Sequence, residues 1–147
     1  MRNKHLLIFS AAFLIILADQ ISKFIVRNSM HLSQSISVIK NIFYITYMHN
    51  FGAGFGILQR QRLFLILISA AVACIILFYS KKIGKKERLL QVIAGIVLGG
   101  TVGNLIDRII YGYVIDFLDF RIWPIFNIAD SAVTIGIIFL IVYYWKK

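Results

Sequence analysis

Four stretches of this chain, Leu6 to Val26, Leu63 to Tyr79, Leu89 to Tyr111 and Ile125 to Trp145, are almost wholly apolar for 17 to 23 residues each. A helix of about 20 residues crosses a hydrocarbon core of about 30 Å. Four such segments in 147 residues leave no room for a water-soluble globule of ordinary design. The composition agrees, with 60% hydrophobic and 15% charged residues, where soluble domains have about 45–50% and about 25%. The expected fold is an all-α membrane protein with four transmembrane helices, about 6–26, 63–79, 89–111 and 125–145, in a single domain over residues 1–147. The polar and aromatic segment at about 28–62 is too long for a turn. Its alternation through Ile42 to Met48 favours strands, so a small extracytoplasmic β-sheet element is expected between the first two helices.

Sixteen Lys and Arg against six Asp and Glu give a net charge of +10. Such an excess can attract nucleic acid or an anionic membrane surface. Position decides. Arg2 and Lys4 precede the first apolar run, Lys81, Lys82, Lys85, Lys86 and Arg88 separate the second from the third, and Lys146 and Lys147 follow the fourth. These cap membrane segments, so no nucleic-acid partner is expected. The Lys81 to Arg88 cluster belongs in the cytoplasm by the positive-inside tendency, with both termini on the same side. The loop after Arg27 and the segment Gly112 to Pro124 then lie outside, although Arg27, Lys40, Arg60, Arg62 and Arg121 dilute the bias. Tyr143, Tyr144 and Trp145 suit the inner interfacial belt. The basic start and apolar run to Ala18 resemble a signal peptide, but Asp19, Gln20 and Lys23 continue the helical pattern with no small-residue cleavage site before them. Cys74 is the single cysteine and sits in an apolar run, so it reads as packing.

The carboxylates are unusual. Five of the six acids are Asp19, Asp107, Asp116, Asp119 and Asp130, all in or beside apolar segments. An ionisable side chain at membrane depth costs about 2.5–3.5 kcal/mol on insertion scales and raises a functional hypothesis. On outward-running helices, Asp19 stands about 20 Å beyond Leu6 and Asp107 about 27 Å beyond Leu89. Asp130 comes five residues into the last apolar segment, and Asp116 and Asp119 lie in the outer connection. All five therefore gather at one membrane face.

Helical spacing places Asn104, Asp107 and Arg108 on one side of the third helix, and Asn127, Asp130, Ser131 and Thr134 on one side of the fourth. Gly95, Gly99 and Gly103 make consecutive G-x-x-x-G steps that admit a neighbouring helix. Asp19 and Lys23, four apart, can neutralise each other.

No Ser-His-Asp set is visible, since His5 falls on the inner side while His31 and His49 lie in the outer loop without a nucleophile elbow. HExxH is absent, and neither metal nor cofactor is expected. Paired aspartates acting as acid and base on a water remain. A small proton-coupled carrier or channel would also use intramembrane Asp and Arg, but strung along a path. A non-enzymatic assembly subunit would account for the glycines and not for the acids.

Five motifs, in order, resemble those of the lipoprotein signal peptidase (signal peptidase II) family. They are Asp19-Gln20-Ile21-Ser22-Lys23, Asn50-Phe51-Gly52-Ala53-Gly54-Phe55-Gly56, Gly99-Gly100 with Gly103-Asn104 and Asp107-Arg108, Val114-Ile115-Asp116-Phe117, and Phe126-Asn127-Ile128-Ala129-Asp130-Ser131. Gly54 stands where the family usually has Ala. The resemblance implies a bacterial plasma-membrane aspartic endopeptidase with its site near the outer face. Such an enzyme removes the signal peptide of diacylglyceryl-modified prolipoproteins just before the lipidated cysteine. It assigns catalysis to Asp116 and Asp130. It assigns substrate binding or support to Asp19, Lys23, Asn50, Gly52, Asn104, Asp107, Arg108 and Asn127. The implied partners are prolipoprotein substrates and membrane lipid, with the chain acting as a monomer.

Overall fold

The computed structural model describes residues 5–54 and 57–146. Arg2, Lys4 and Lys147 among the cationic flanks, and Phe55 and Gly56 at the end of the second motif, lie outside the described residues. Four helices are long and apolar enough to cross a membrane: α1 (Leu6–Ser29), α2 (Arg62–Ser80), α3 (Arg88–Ile110) and α4 (Ile128–Trp145). A helix is the economical choice there, because every backbone polar group must find its partner inside the segment.

The third helix is the post of the bundle. More than half of its apolar window is buried, 56%, against 17–22% for the other three. Its glycines explain this. Gly95 and Gly99 face α1, where a Cβ on Gly99 would stand 2.7 Å from the Ala12 carbonyl. Gly100 faces α4, where a Cβ would stand 2.5 Å from the Ala129 carbonyl, and Gly103 lies between the two, where a Cβ would stand 2.7 Å from Asp19 Oδ2 on α1 and 3.3 Å from the Ala129 Cβ on α4. The G-x-x-x-G steps are therefore one half of a two-sided contact surface, and Gly100 belongs to it although it falls outside that spacing. The second helix also packs on α3, while α2 and α4 scarcely touch each other.

A three-stranded antiparallel sheet, in the order β1 (Ser35–Ile39), β2 (Phe43–Asn50) and β3 (Val114–Asp119), sits at one end of the bundle. The first two strands form the hairpin expected between α1 and α2, turning at Asn41 with a left-handed φ of 65°. The third comes from the connection between α3 and α4, which the sequence pattern marked only as a loop. Val26, Tyr47, Ile115 and Phe117 form a buried apolar cluster joining the end of α1 to the sheet. The last helix begins at Ile128 and not near Ile125, because Phe126 is held by the sheet. Its N–H donates to the Leu118 carbonyl at 3.1 Å and its carbonyl accepts from Leu118 at 2.8 Å. Asn127 then caps α4, accepting from the Asp130 N–H at 2.8 Å, while the Asp130 carboxylate accepts from the Asn127 N–H at 3.3 Å. This is the reciprocal box that satisfies otherwise orphaned donors at a helix start.

Candidate active site

Strand pairing and helix capping bring two aspartates to one place. Met48 pairs with Asp116 across β2 and β3, so Asn50, two residues on, lies on the same face as Asp116. Its Nδ2 donates to Asp116 Oδ2 at 2.9 Å, and its Oδ1 is held by the Gly52 N–H at 2.9 Å, which fixes the amide orientation. Asn127, fully buried, donates from Nδ2 to Asp116 Oδ1 at 2.7 Å. The residue that caps the helix bearing Asp130 therefore also grips Asp116. Asp130 is half-buried, and its Oδ1 accepts from Asn104 Nδ2 at 2.7 Å.

Beneath the pair lies an ionic knot. Lys23 is 2% exposed and its Nζ reaches Asp19 Oδ2 at 2.7 Å, Asp107 Oδ2 at 2.9 Å and Asn104 Oδ1 at 3.0 Å. Because Asn104 Oδ1 also accepts from Asn127 Nδ2 at 3.1 Å, that oxygen has two donors and the amide must present its nitrogen to Asp130. Asp19 spends its other oxygen on the Ala129 N–H at 2.9 Å, and Asp107 Oδ2 also takes the Ile115 N–H at 3.1 Å. Gln20 Nε2 bridges Asp19 and Asp107 at 3.2 and 3.0 Å. The spacing argument that Asp19 and Lys23 neutralise each other is thus correct and incomplete, since Asp107 shares the cation.

The third helix's polar residues divide their partners: Asn104 reaches both Lys23 and Asp130, Asp107 reaches Lys23, and Arg108 donates to the Gly52 carbonyl at 3.1 Å and the Asn104 carbonyl at 3.4 Å. Pairing of Arg108 with Asp107, the simplest reading of their adjacency, does not occur, because successive residues on a helix point about 100° apart.

Both aspartates, with Asn50, Asn104 and Arg108, line a cavity of about 910 Å³. Its walls come from α2, α3 and α4, and its rim from β2 and the segment Trp123 to Phe126. Burial pushes the Asp116 carboxyl up to about 7, and the charge of Asp130 pushes it the same way; hydrogen bonds from Asn50 and Asn127 and the Lys23 cation oppose this. Such a group exchanges protons near neutral pH, as an acid or base for water must. Among the described residues no group of three His, Cys, Asp or Glu side chains is disposed to hold a metal ion.

Two groups that the sequence located received no role from it. Asp119, without a motif, is buried and accepts from Thr46 Oγ1 at 2.7 Å and the Arg121 N–H at 2.8 Å, which ties the rim to the sheet. His49 lines the cavity, stacks on Tyr113 at 3.7 Å between ring centres, and shares a 2.8 Å hydrogen bond with the Tyr47 hydroxyl. Its place next to Asn50 was the available signal.

The family model described as Signal peptidase (SPase) II matches residues 11–146 of this chain. The chain belongs to the signal peptidase II family. It is 43% identical over 142 residues to the lipoprotein signal peptidase of Halothermothrix orenii, covering 96% of this chain and 97% of that one. It is 44% identical over 141 residues to that of Bacillus subtilis, covering 93% and 92%. Two solved structures of a bacterial membrane enzyme, obtained by the in meso method, are also similar. The first has a TM-score of 0.90 at 34% identity, covering 95% of this chain and 87% of that one. The second has a TM-score of 0.87 at 33% identity, covering 95% and 93%. Membership of the signal peptidase II family makes the chain a multi-pass membrane peptidase of lipoprotein processing.

Proposed function

We propose that this chain is an aspartic endopeptidase that cleaves diacylglyceryl-modified prolipoproteins immediately before the lipidated cysteine, with Asp116 and Asp130 as its catalytic residues. The observation that carries the reading is the Asn127 side chain, which grips Asp116 at 2.7 Å and caps the turn that bears Asp130 at 2.8 Å, in a cavity walled by membrane helices. Two close carboxyls share one proton more cheaply than they carry two charges. The ionised one takes a proton from water as its oxygen attacks the scissile carbonyl. The protonated one gives its proton to the carbonyl oxygen as the water attacks; when the tetrahedral diol collapses it takes a proton back from a diol hydroxyl, and the proton taken from water passes to the leaving amide nitrogen, so the pair regains its single proton with no covalent acyl intermediate. Asn50, Asn104 and Asn127 act as positioning residues for the pair. Asp19, Lys23 and Asp107 hold the helices that carry them, and Arg108 holds the chain at Gly52.

The carboxylates gather at the sheet end of the bundle instead of marking a route through it, which favours a peptidase over a proton-coupled carrier. With Lys81 to Arg88 in the cytoplasm, both termini lie inside and the dyad lies near the outer face of the bacterial plasma membrane, where a lipid-anchored precursor arrives from the bilayer. The protein acts as a monomer with no metal. The test is incubation of purified protein with a diacylglyceryl-modified precursor. A shorter, lipid-bearing product from the wild type, and none from Asp116→Asn or Asp130→Asn, is the expected result.

A further inference from the structure

Each of the three helices around the cavity contributes a hydroxyl-bearing residue to its lining. Ser69 is the single Ser, Thr, Asn, Gln or charged residue between Arg62 and Ser80. Thr101 and Thr134 stand on α3 and α4, and all three residues line the cavity with the aspartates. At 1.5 Å per residue they lie about 9 to 14 Å below the sheet-side ends of their helices, one step deeper than the dyad. The surrounding wall is apolar, with Ile68, Val97 and Ile137 among its side chains. Thr101 Oγ1 already donates to the Val97 carbonyl at 2.8 Å and keeps only its lone pairs for a guest. Among the described residues, the Ser69 and Thr134 hydroxyls make no hydrogen bond. Two hydroxyls without a partner among the described residues therefore stand in an otherwise apolar stretch of the cleft.

A peptide that reaches this cleft from the bilayer arrives as a helix, with its carbonyls satisfied within the segment. Water cannot attack a carbonyl still bonded in a helix and shielded by its own turns, so the residues before the scissile bond must unwind. Unwinding strands backbone N–H and C=O groups in a dry place, where each unpaired group is costly. A hydroxyl can donate and accept, and it rotates to suit.

We propose that Ser69, Thr101 and Thr134 take the unwound backbone of the peptide on the amino side of the scissile bond, so that the cleft tolerates helix-forming sequences there. Ser69 and Thr134 donate to its carbonyls, and Thr101 accepts from one of its N–H groups. This deepens the peptidase reading of the same cavity and rests on it.

The test compares Ser69→Ala and Thr134→Val with wild type on two lipid-modified precursors. One carries Ala and Leu in the three positions before the scissile bond, and the other carries Gly, which resists helix formation. Melting temperatures of the variants in detergent confirm folding. Each variant should lose about threefold to tenfold in kcat/KM on the Ala/Leu precursor, and clearly less on the Gly precursor, where little helix must be opened. Equal losses on both precursors, or no loss on either, would overturn the inference while leaving the peptidase reading intact. Failure of the wild type to cleave either precursor would remove both.

Discussion

Asp19, on the first helix, accepts a 2.9 Å hydrogen bond from the backbone N–H of Ala129, 110 residues later and adjacent to Asp130. A carboxylate at a helix start satisfies an orphan donor and suits the helix dipole. Here it is supplied from another helix, so the seat of Asp130 depends on α1. Asp19→Ala should lower kcat more than KM, since the variant moves a reacting group without touching the substrate. Asp19→Asn, which keeps an acceptor oxygen, should recover part of the rate. Steady-state kinetics on lipidated precursor separates the two, and a pure KM effect would contradict the placement.

Asp116→Asn and Asp130→Asn should each reduce cleavage by at least about a hundredfold, within the range of general acid/base contributions. Asp119 distinguishes position from chemistry. Asp119→Asn should keep most of the rate, yet melt earlier, because it weakens the buried bonds to Thr46 and Arg121. Rates and melting temperatures measured on the same preparations check both claims. Chelation of metal ions should leave the wild-type rate unchanged.

The proton on Asp116 leaves a signature in stability. The folded protein holds it up to about 7, whereas an unfolded Asp releases its proton at about 3.9. Between those values the folded state binds more protons, so stability falls as pH rises through the window and levels off above it. Asp116→Asn removes this dependence. The melting temperature of the variant minus that of the wild type should therefore increase from about pH 4.5 to about pH 8. A constant difference would show that Asp116 titrates normally.

Lys23 should be the least replaceable residue outside the dyad. Lys23→Met leaves Asp19 and Asp107 buried without their cation, and breaking a buried pair in this way costs about 3–5 kcal/mol. Adding Asp19→Asn and Asp107→Asn to the same chain should restore part of the melting temperature. If the single variant melted like the wild type, the ionic knot would have to be peripheral to the fold.

Gly99→Leu should destabilise the protein in detergent far more than Ile138→Leu, whose side chain is exposed on α4. Equal melting temperatures would remove the α1 contact from Gly99. Orientation is checked in a Cys74→Ala background, where an impermeant thiol reagent applied from outside should label Ser35→Cys and miss Lys85→Cys.

The sequence showed what hydrophobic patterning can show. Helix existence followed from apolar length, and helix ends missed by up to three residues where polar contacts decide, as at Asn127. The third strand was hidden because Val114 to Asp119 has the same apolar character as the helix before it, and only pairing with β2 distinguishes it. Asp116, Asp130 and their asparagines were legible as motifs. The partner of Arg108 was not, since adjacency along the chain says little about direction around a helix axis. Asp119 was placed at the right face, but its role was illegible for a related reason: it lies in two contacts, one of them 73 residues away in the chain.

Since α1, α2 and α4 each pack most extensively on α3, the tolerance of the chain to substitution should be uneven. A saturation library screened for folded protein would retain few changes along the glycine-bearing sides of α3. On the outward side of α2, any residue apolar enough to stay in the bilayer would survive. The bundle thus has one intolerant column and three staves whose lipid-facing sides are free, and a designer wishing to retune its membrane thickness or lipid preference can rewrite those outer sides while leaving alone the column, the Asp19 and Lys23 side of α1 and the Asn127 to Asp130 start of α4.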